Sequence, residues 1–365
     1  MDNYDKELGG EAPQSPNLSS DAKVHTPALK DIGQAVALVR GLEVENRERS
    51  LKNARIQGKY DAERPFNAQK MKADGLGWKT NFTTKPLATL IDKVVPRFTT
   101  AIRNMRYLTA SKLPDRFEGA SEKTETFRRE ITETCRNHEG WDEIGSEIAQ
   151  ENTLFGYTPV AWLDTVTWFP KFYRQDHFLV PQGTKHTAKS AQIICLRELY
   201  LLHELFDVIR DPGAATDAGW DVANVIESLN TATPEDRRSL NYSPERIYAD
   251  LARESSVLGS FHGAKAVEAW HVFIAEVDGH VTHVAFDAKS DKKLFWKAKQ
   301  FASMSDAAAF FSFQHGNGKL HGSKGIGREL YNMASVLDRS RNEVIDRLQL
   351  SGKRIPWLRL AWSEP

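Results

Sequence analysis

The sequence predicts an α+β protein, with long helices and a small antiparallel sheet late in the chain. Apolar residues recur at steps of three and four in several segments of the first two-thirds, which is the helical period. Residues 265–288 instead form two apolar, β-type runs on either side of Asp278-Gly279, a dipeptide typical of a hairpin turn. After this hairpin, a glycine-punctuated loop leads into one long amphipathic helix.

Four regions follow from this pattern. Residues 1–32 combine Gly, Pro, Ser and Asp with few large apolar side chains, so we expect a disordered N-terminal arm. Residues 33–260 predict a mainly helical region with short strands, and residues 261–321 predict a small β region. Residues 322–365 predict the glycine loop and the long helix. A chain of 365 residues can bury a core of its own and fits one to three domains.

Helix signals recur along the first region. A charged, sparsely apolar segment over 34–60 predicts the first helix, and an apolar stripe over 85–111 predicts another, with a kink at Pro96. Gly156 is expected to end a later helix before a strand. The other helices are predicted from Ser121 onward, over 141–155, from His203 to Arg210 and over 243–255.

Strand signals are shorter and lie between the helices. Residues 165–180 mix aromatic residues with proline and predict an extended or looping stretch, and residues 181–184 predict a turn. In the hairpin, apolar residues occupy both alternating sets, so both faces are expected to be covered. The other strands are predicted over 157–163, 191–199, 295–299 and 310–314.

The last helix has the clearest pattern. Ser323 is the expected N-cap, and Gly352 is the expected stop before Pro356. Charged residues spaced four apart support a helix on a second face. The apolar stripe predicts that this helix packs against neighbours in a larger assembly. The stripe consists of Ile326, Leu330, Met333, Leu337, Val344 and Leu348.

The glycine loop does not have the pattern of a nucleotide site. A P-loop needs a lysine followed by Ser or Thr, whereas Lys319 precedes Leu320 and Lys324 precedes Gly325. The glycine spacing also differs from the dinucleotide fingerprint. A tight turn before a helix is therefore the expected role of these glycines.

Charge is balanced overall but unevenly distributed. The chain has 49 basic and 49 acidic residues. Residues 79–116 are rich in Lys and Arg, and residues 200–260 are rich in Asp and Glu. This asymmetry indicates faces for different partners or for neighbouring copies, or simply two solvated helical surfaces.

The cysteine content and the lack of a long apolar run predict the cellular location of the protein. Cys135 and Cys195 have no metal-type spacing, which favours a reducing compartment over a disulfide scaffold. No run approaches the roughly 20 apolar residues that span a bilayer, and the N-terminus is not signal-like. We expect the cytosol, or a particle assembled there, and no membrane.

Catalytic and metal-binding patterns are weak. His280 and His283 lie three apart on a predicted strand, so their rings should face opposite ways, and we expect no metal site and no cofactor. No residue has a pattern that assigns it a catalytic role, so the chain is not expected to be an enzyme. The one carboxylate set worth testing for a metal-dependent nuclease is Glu268, Asp278 and Asp287.

Three sequence blocks together resemble phage portal (head–tail connector) proteins. The first, Asn81–Val95, resembles an early portal segment in which an extended stretch enters a long helix. The second, Ala149–Asp164, is similar to the portal helix that ends in a Gly-aromatic turn and enters a strand, with Leu202–Phe206 as a following helix. The third, His321–Leu330, resembles the glycine loop and helix that follow the strands in many portals. The resemblance covers roughly residues 33–355.

The resemblance implies a wing/stem architecture and a ring, usually a dodecamer, at one capsid vertex. Such rings dock the large subunit of the terminase, pass double-stranded DNA, meet the major capsid and scaffolding proteins, and later receive a head–tail adaptor. The implied location is the virion portal vertex, with assembly in the host cytoplasm. Portals have no catalytic residues of their own. Lys319, Lys324 and Arg328 are the candidates for non-specific contacts with the DNA backbone, with ordinary solvated surface as the alternative.

The chain departs from the family at its end. Portals usually continue well beyond the third block, whereas this chain stops at Pro365, so we expect a fragment or a truncated product in which ring formation is in question. Two alternatives to a portal remain. One is another virion assembly or scaffold-like protein, and the other is the metal-dependent nucleic-acid enzyme described above.

Overall fold

A computed structural model gives the fold of residues 29–77, 79–104, 120–138, 140–167, 169–232 and 266–361. The predicted disordered arm lies almost wholly outside the described residues. The predicted helix over 243–255 and the part of the predicted 85–111 helix that follows Asn104 also lie outside them. Within the described part, no helix has the length and apolar character needed to cross a membrane.

The helices confirm most of the sequence predictions. The Asp31 side chain caps the first helix by accepting a hydrogen bond from the Gln34 backbone N–H at 2.9 Å. Gly156, with φ at +98°, ends the fifth helix as predicted. The described helices are α1 (Ile32–Tyr60), α2 (Ala68–Ala73), α3 (Pro86–Asn104), α4 (Ala120–Asn137), α5 (Trp141–Phe155), α6 (Leu202–Val208), α7 (Pro212–Ala218), α8 (Val222–Thr231), α9 (Met304–Ala307) and α10 (Ile326–Ala361).

The strands form two antiparallel sheets, and the α+β prediction is confirmed. The larger sheet has the order β3-β4-β5-β6-β7 and the smaller one β2-β1-β8. Both sheets join regions that the sequence separated, because β4 pairs with β5 and β1 pairs with β8. The strands are β1 (Tyr157–Ala161), β2 (Lys171–Phe172), β3 (Phe178–Leu179), β4 (Ile193–Leu201), β5 (Ala266–Ala275), β6 (Val281–Asp287), β7 (Lys293–Phe301) and β8 (Ala308–Ser312).

Helices and loops cover both faces of the larger sheet. Helix α1 packs Val36 and Val39 onto one face, against Val272 and Val284. The smaller sheet and the loop before α10 pack onto the other face, around Phe273. The predicted two-sided burial of the hairpin is therefore confirmed, since every residue of β6 is buried.

The ends predicted for the last helix are wrong. Helix α10 begins at Ile326, three residues after Ser323, so Ser323 is not its N-cap. The helix also passes through Gly352 and continues to Ala361. A glycine within a helix costs only about 1 kcal/mol relative to alanine, which is too little to end a long helix by itself.

Near its start, α10 packs Leu330 and Ala334 against the core, but from Asp338 onward its inner face is polar and its apolar stripe points outward. Asp338 and Asn342 are 1% exposed, whereas Met333 is 69% and Leu348 65% exposed. Leu337 and Asn342 are five residues apart, which at about 100° per residue places them roughly 140° apart around the helix. The stripe and the buried side of α10 therefore lie nearly opposite each other.

The buried side of α10 holds the extended segment 80–84 by hydrogen bonds. Asp338 accepts from the Thr84 backbone at 3.2 Å, Asn342 both accepts from and donates to the Phe82 backbone at 3.2 and 3.0 Å, and Asp346 accepts from the Thr80 backbone at 2.7 Å. Four residues of helix rise about 6 Å and two residues of extended chain about 6.6 Å, so the two spacings match. We call these three side chains the α10 ladder.

Candidate functional site

The glycine loop, residues 315–325, lies between β8 and α10 and is held by close backbone contacts. A Cβ on Gly316 would lie 1.8 Å from the Gly322 carbonyl oxygen, and a Cβ on Gly325 would lie 2.5 Å from the Gly156 nitrogen. Both distances are shorter than any side chain tolerates. Gly316 therefore permits close packing within the loop, and Gly325 permits close packing of the loop on the end of α5, in addition to turning the chain.

Arg49 of α1 connects the glycine loop to the strands beneath it through the contacts of its guanidinium. Its guanidinium donates to the Tyr157 hydroxyl, contacts Nδ1 of His321, and donates to the Phe178 carbonyl oxygen at 3.1 Å. Nε2 of His321 lies 3.2 Å from the Val180 carbonyl oxygen. One arginine thus joins α1, β1, β3 and the loop.

Arg328, one of the three candidate DNA contacts, also faces the loop. Its guanidinium donates to the carbonyl oxygens of His321 and Ser323, at 2.8 and 3.1 Å. The side chain is half-buried and ties the first turn of α10 to the preceding loop. This arrangement gives Arg328 a structural role that its sequence position did not indicate.

Lys319 and Lys324, the other two candidates, lie on the outer side of the loop. Lys319 is exposed, and its backbone N–H donates to the Asn317 side chain at 3.2 Å. The Lys324 ammonium is half exposed and 3.9 Å from Glu329, a loose and solvated pair. The structure therefore places two of the three candidates where a large anionic partner can reach them.

Burial and the two neighbouring arginines determine the charge state of His321 in the glycine loop. Burial and the positive charge of Arg49, with a smaller effect of Arg328, lower the pKa of His321 to about 3. His321 is therefore neutral at physiological pH. Among the described residues, no carboxylate lies within ion-pair distance of Arg49 or Arg328. Their hydrogen-bond partners within the described part of the chain are carbonyl, hydroxyl and imidazole groups.

A second loop, residues 181–190, packs against the glycine loop. The Leu320 backbone donates to the Thr184 carbonyl oxygen at 2.8 Å. His186 lies with Nδ1 3.0 Å from the Ser312 hydroxyl, and its ring is 4.1 Å from that of His315. The second loop also carries the exposed residues Lys185 and Lys189, and Lys185 directly follows Thr184, the residue that contacts the glycine loop. The sequence did not indicate these residues, because they lie more than 100 positions before the glycine loop.

The carboxylates considered for a nuclease do not form one cluster. Glu268 and Asp287 line a cleft of about 290 Å³ between α1, α8 and the larger sheet. Asp278 lies on the turn at the far end of the hairpin, where it pairs with Lys299 at 2.7 Å. Glu268 is paired with Arg197 and is not open to a metal.

Asp287 is also satisfied within the protein. It accepts from the Ser228 hydroxyl at 2.7 Å and from the Lys289 backbone at 2.8 Å. In the part of the chain that the structure describes, no group of three or more His, Cys, Asp or Glu residues has an arrangement suited to a metal ion.

Two buried histidines form a hydrogen-bonded chain within the larger sheet. Tyr200 Oη lies 2.8 Å from Nε2 of His271, and Nδ1 of His271 lies 2.8 Å from Nε2 of His283. His283 then meets Gln300 at 2.7 Å, and Gln300 donates to the Leu163 carbonyl oxygen at 3.0 Å. One proton per link, directed from Tyr200 to Leu163, satisfies the whole chain with both histidines neutral. Both imidazole rings are buried, so this network stabilises the core of the larger sheet.

Comparison with known proteins gives no family for this chain. No protein-family model matches it, and a search of curated proteins found no match.

Proposed function

We propose that this chain is a portal-type structural protein that assembles into a ring through which double-stranded DNA passes. The proposal includes the partners that the resemblance implies: the terminase, the capsid and scaffolding proteins, and a head–tail adaptor. It also includes the location at the portal vertex of a virion. The three blocks that resemble portals support it, together with the outward-facing stripe of α10.

The apolar stripe is the observation that carries the proposal. Large apolar side chains follow one line along α10, opposite the ladder that docks the helix to its own chain. An exposed apolar strip of this length is typical of a surface that another subunit covers. Its most exposed members are Met333 at 69%, Leu337 at 40%, Val344 at 55% and Leu348 at 65%.

The native mass of the purified protein, measured together with negative-stain images of the same peak, tests the proposal. We expect a closed ring of about a dozen copies. Replacing Leu337 and Val344 together with Gln should shift the protein toward monomer, because two apolar contacts per interface are lost. A matched control replaces Arg339 and Glu343 with Gln, which changes two exposed residues of the same helix without changing net charge.

Two outcomes would contradict the proposal. If the wild-type protein is a monomer at micromolar concentrations, the chain does not assemble into a ring. Equal loss of assembly in the Gln pair and in its control would show that α10 does not supply the contact through its apolar stripe. Magnesium-dependent cleavage of DNA by the purified protein would instead favour the nuclease alternative.

A further inference from the structure

The two packed loops carry an excess of positive charge that the described protein does not neutralise. The loops have four exposed lysines, and among the described residues the one carboxylate within ion-pair distance of any of them is Glu329, at 3.9 Å from Lys324, while Glu45 accepts from the Gln182 backbone at 2.9 Å. Beneath the glycine loop lie the guanidinium groups of Arg49 and Arg328, with no carboxylate partner among the described residues. The lysines are Lys185, Lys189, Lys319 and Lys324.

A partly buried guanidinium without a counter-charge is costly, because neutral acceptors replace only part of its hydration. The Nε of Arg49 adds to this cost, since it is buried and has no hydrogen-bond partner in the part of the chain that the structure describes. Burial is the main cause of the lowered pKa of His321, and the positive charge of Arg49 lowers that pKa further. An anionic ligand on the outer side of the loop would offset this potential.

We propose that the surface formed by residues 181–190 and 315–325, the double-loop surface, binds the phosphate backbone of duplex DNA without reading its sequence. The inference rests on the proposed function and assigns the DNA contact to the four lysines, with Arg49 and Arg328 supporting the potential from below. It extends the contact to Lys185 and Lys189, which come from a distant part of the chain.

The shape and composition of the surface favour DNA over a membrane. The tip of the glycine loop, residues 315–319, is His-Gly-Asn-Gly-Lys and contains no apolar side chain that could enter a bilayer. The two loops are joined by the Leu320 backbone donating to the Thr184 carbonyl oxygen at 2.8 Å, and the glycine loop is closed at its base by the Lys324 backbone donating to the Gln314 carbonyl oxygen at 3.0 Å. Lysines on a fixed surface act as point charges toward phosphates and provide no base-specific contact.

The test is fluorescence anisotropy with a labelled duplex of about 30 base pairs at two or more salt concentrations. With four lysines engaged, the logarithm of the association constant should fall with the logarithm of salt with a slope of about −3 to −4. Lys185→Glu with Lys319→Glu should weaken binding at least ~10-fold and reduce the slope by about two. The control is Lys70→Glu with Lys72→Glu, an equal charge change on two exposed lysines of α2, and it should stay within ~3-fold of wild type.

Equal weakening by both double variants would overturn the inference, because binding would then follow net charge and not this surface. Absence of binding to duplex by the wild-type protein would overturn it as well. Sedimentation with phosphatidylserine vesicles but not with DNA would show an anionic membrane as the partner. A ring that forms normally but does not bind DNA through these lysines would leave the proposed function in place. A monomer that binds DNA through them would retain the surface and reject the ring.

Discussion

Asp338 offers the sharpest test of how the long helix is held. Its carboxylate is buried between α10, α1 and the segment 80–84. It accepts from the Lys59 ammonium, from the Thr83 hydroxyl at 2.6 Å, and from the Thr84 hydroxyl and backbone at 3.1 and 3.2 Å. The perturbation is Asp338→Asn, which keeps the shape and one acceptor oxygen but removes the charge.

The expected loss of stability follows from the Lys59 ammonium, which stays buried in the variant. The Lys59 side chain is only 7% exposed, so the substitution leaves a buried ammonium without its counter-ion. Removing one partner of a buried pair costs about 3–5 kcal/mol, most of it from the charge that stays. Adding Lys59→Met to the Asp338→Asn variant should therefore restore about 2 kcal/mol of its free energy of unfolding, because this second change removes the uncompensated charge.

Urea denaturation of wild type, both single variants and the double variant completes the cycle. Wild type and variants are compared at equal protein concentration, because assembly would add to apparent stability. A loss of under about 1 kcal/mol for Asp338→Asn would refute the reasoning, since the pair would then not be buried in solution. The reasoning would also be refuted if the stability change of the double variant equalled the sum of the two single changes.

The pH dependence of the same residue has a definite sign. Burial opposes ionisation of Asp338, but the hydrogen bonds from Lys59, Thr83 and Thr84 outweigh it and lower the pKa below its ordinary 3.8. The stabilising contribution of the carboxylate is therefore present above the unfolded-state pKa of about 4. It is lost as pH falls through the lower folded-state pKa, and this loss should be absent in Asp338→Asn.

Two further predictions concern the loop and the core. Gly325→Ala places a Cβ 2.5 Å from the Gly156 nitrogen, so a calorimetric melting temperature several degrees lower is expected, while Gly183→Ala, where the space is open, should have a small effect. Burial and, for His271, the adjacent His283 lower the pKa of both core histidines, that of His283 to about 3. Their folded-state pKa lies below the unfolded value, so stability is full above about pH 6.5 and falls as pH decreases toward 3. Urea midpoints that do not change between pH 7 and 5 would contradict the buried neutral pair.

Short sequence patterns correctly predicted the secondary-structure elements that depend only on neighbouring residues. The hairpin was evident because Asp278-Gly279 separates two β-type runs, and the end of α5 was evident because Gly156 interrupts the helical period. The ends of α10 were wrong because capping rules weigh only the nearest residues. Ser323 instead is buried with its hydroxyl 3.4 Å from His186, which is 137 positions away.

The candidate site depended on contacts that no local pattern contains. Arg49 meets His321 across 272 positions, and nothing in the helix around Arg49 distinguishes it from neighbouring arginines. Similarly, Lys185 joins the glycine loop only because the Thr184 carbonyl accepts from Leu320. Sequence reasoning identified Lys319, Lys324 and Arg328 by proximity to the loop but could not separate the inward-facing arginine from the two exposed lysines.

The two sides of α10 connect the fold to the proposed assembly. An apolar stripe normally indicates the buried face of a helix, yet here the ladder of Asp338, Asn342 and Asp346 docks the helix and the stripe stays outside. A polar face can be buried because each of its groups has a partner on the extended segment, which removes most of the desolvation cost. Among the described residues the outward-facing part of the stripe stays exposed after the chain has folded, so we expect its burial to favour association. Because the faces lie on opposite sides, their effects should separate: changes in the ladder should lower the stability of the isolated chain, and changes in the stripe should lower the native mass while leaving that stability nearly unchanged.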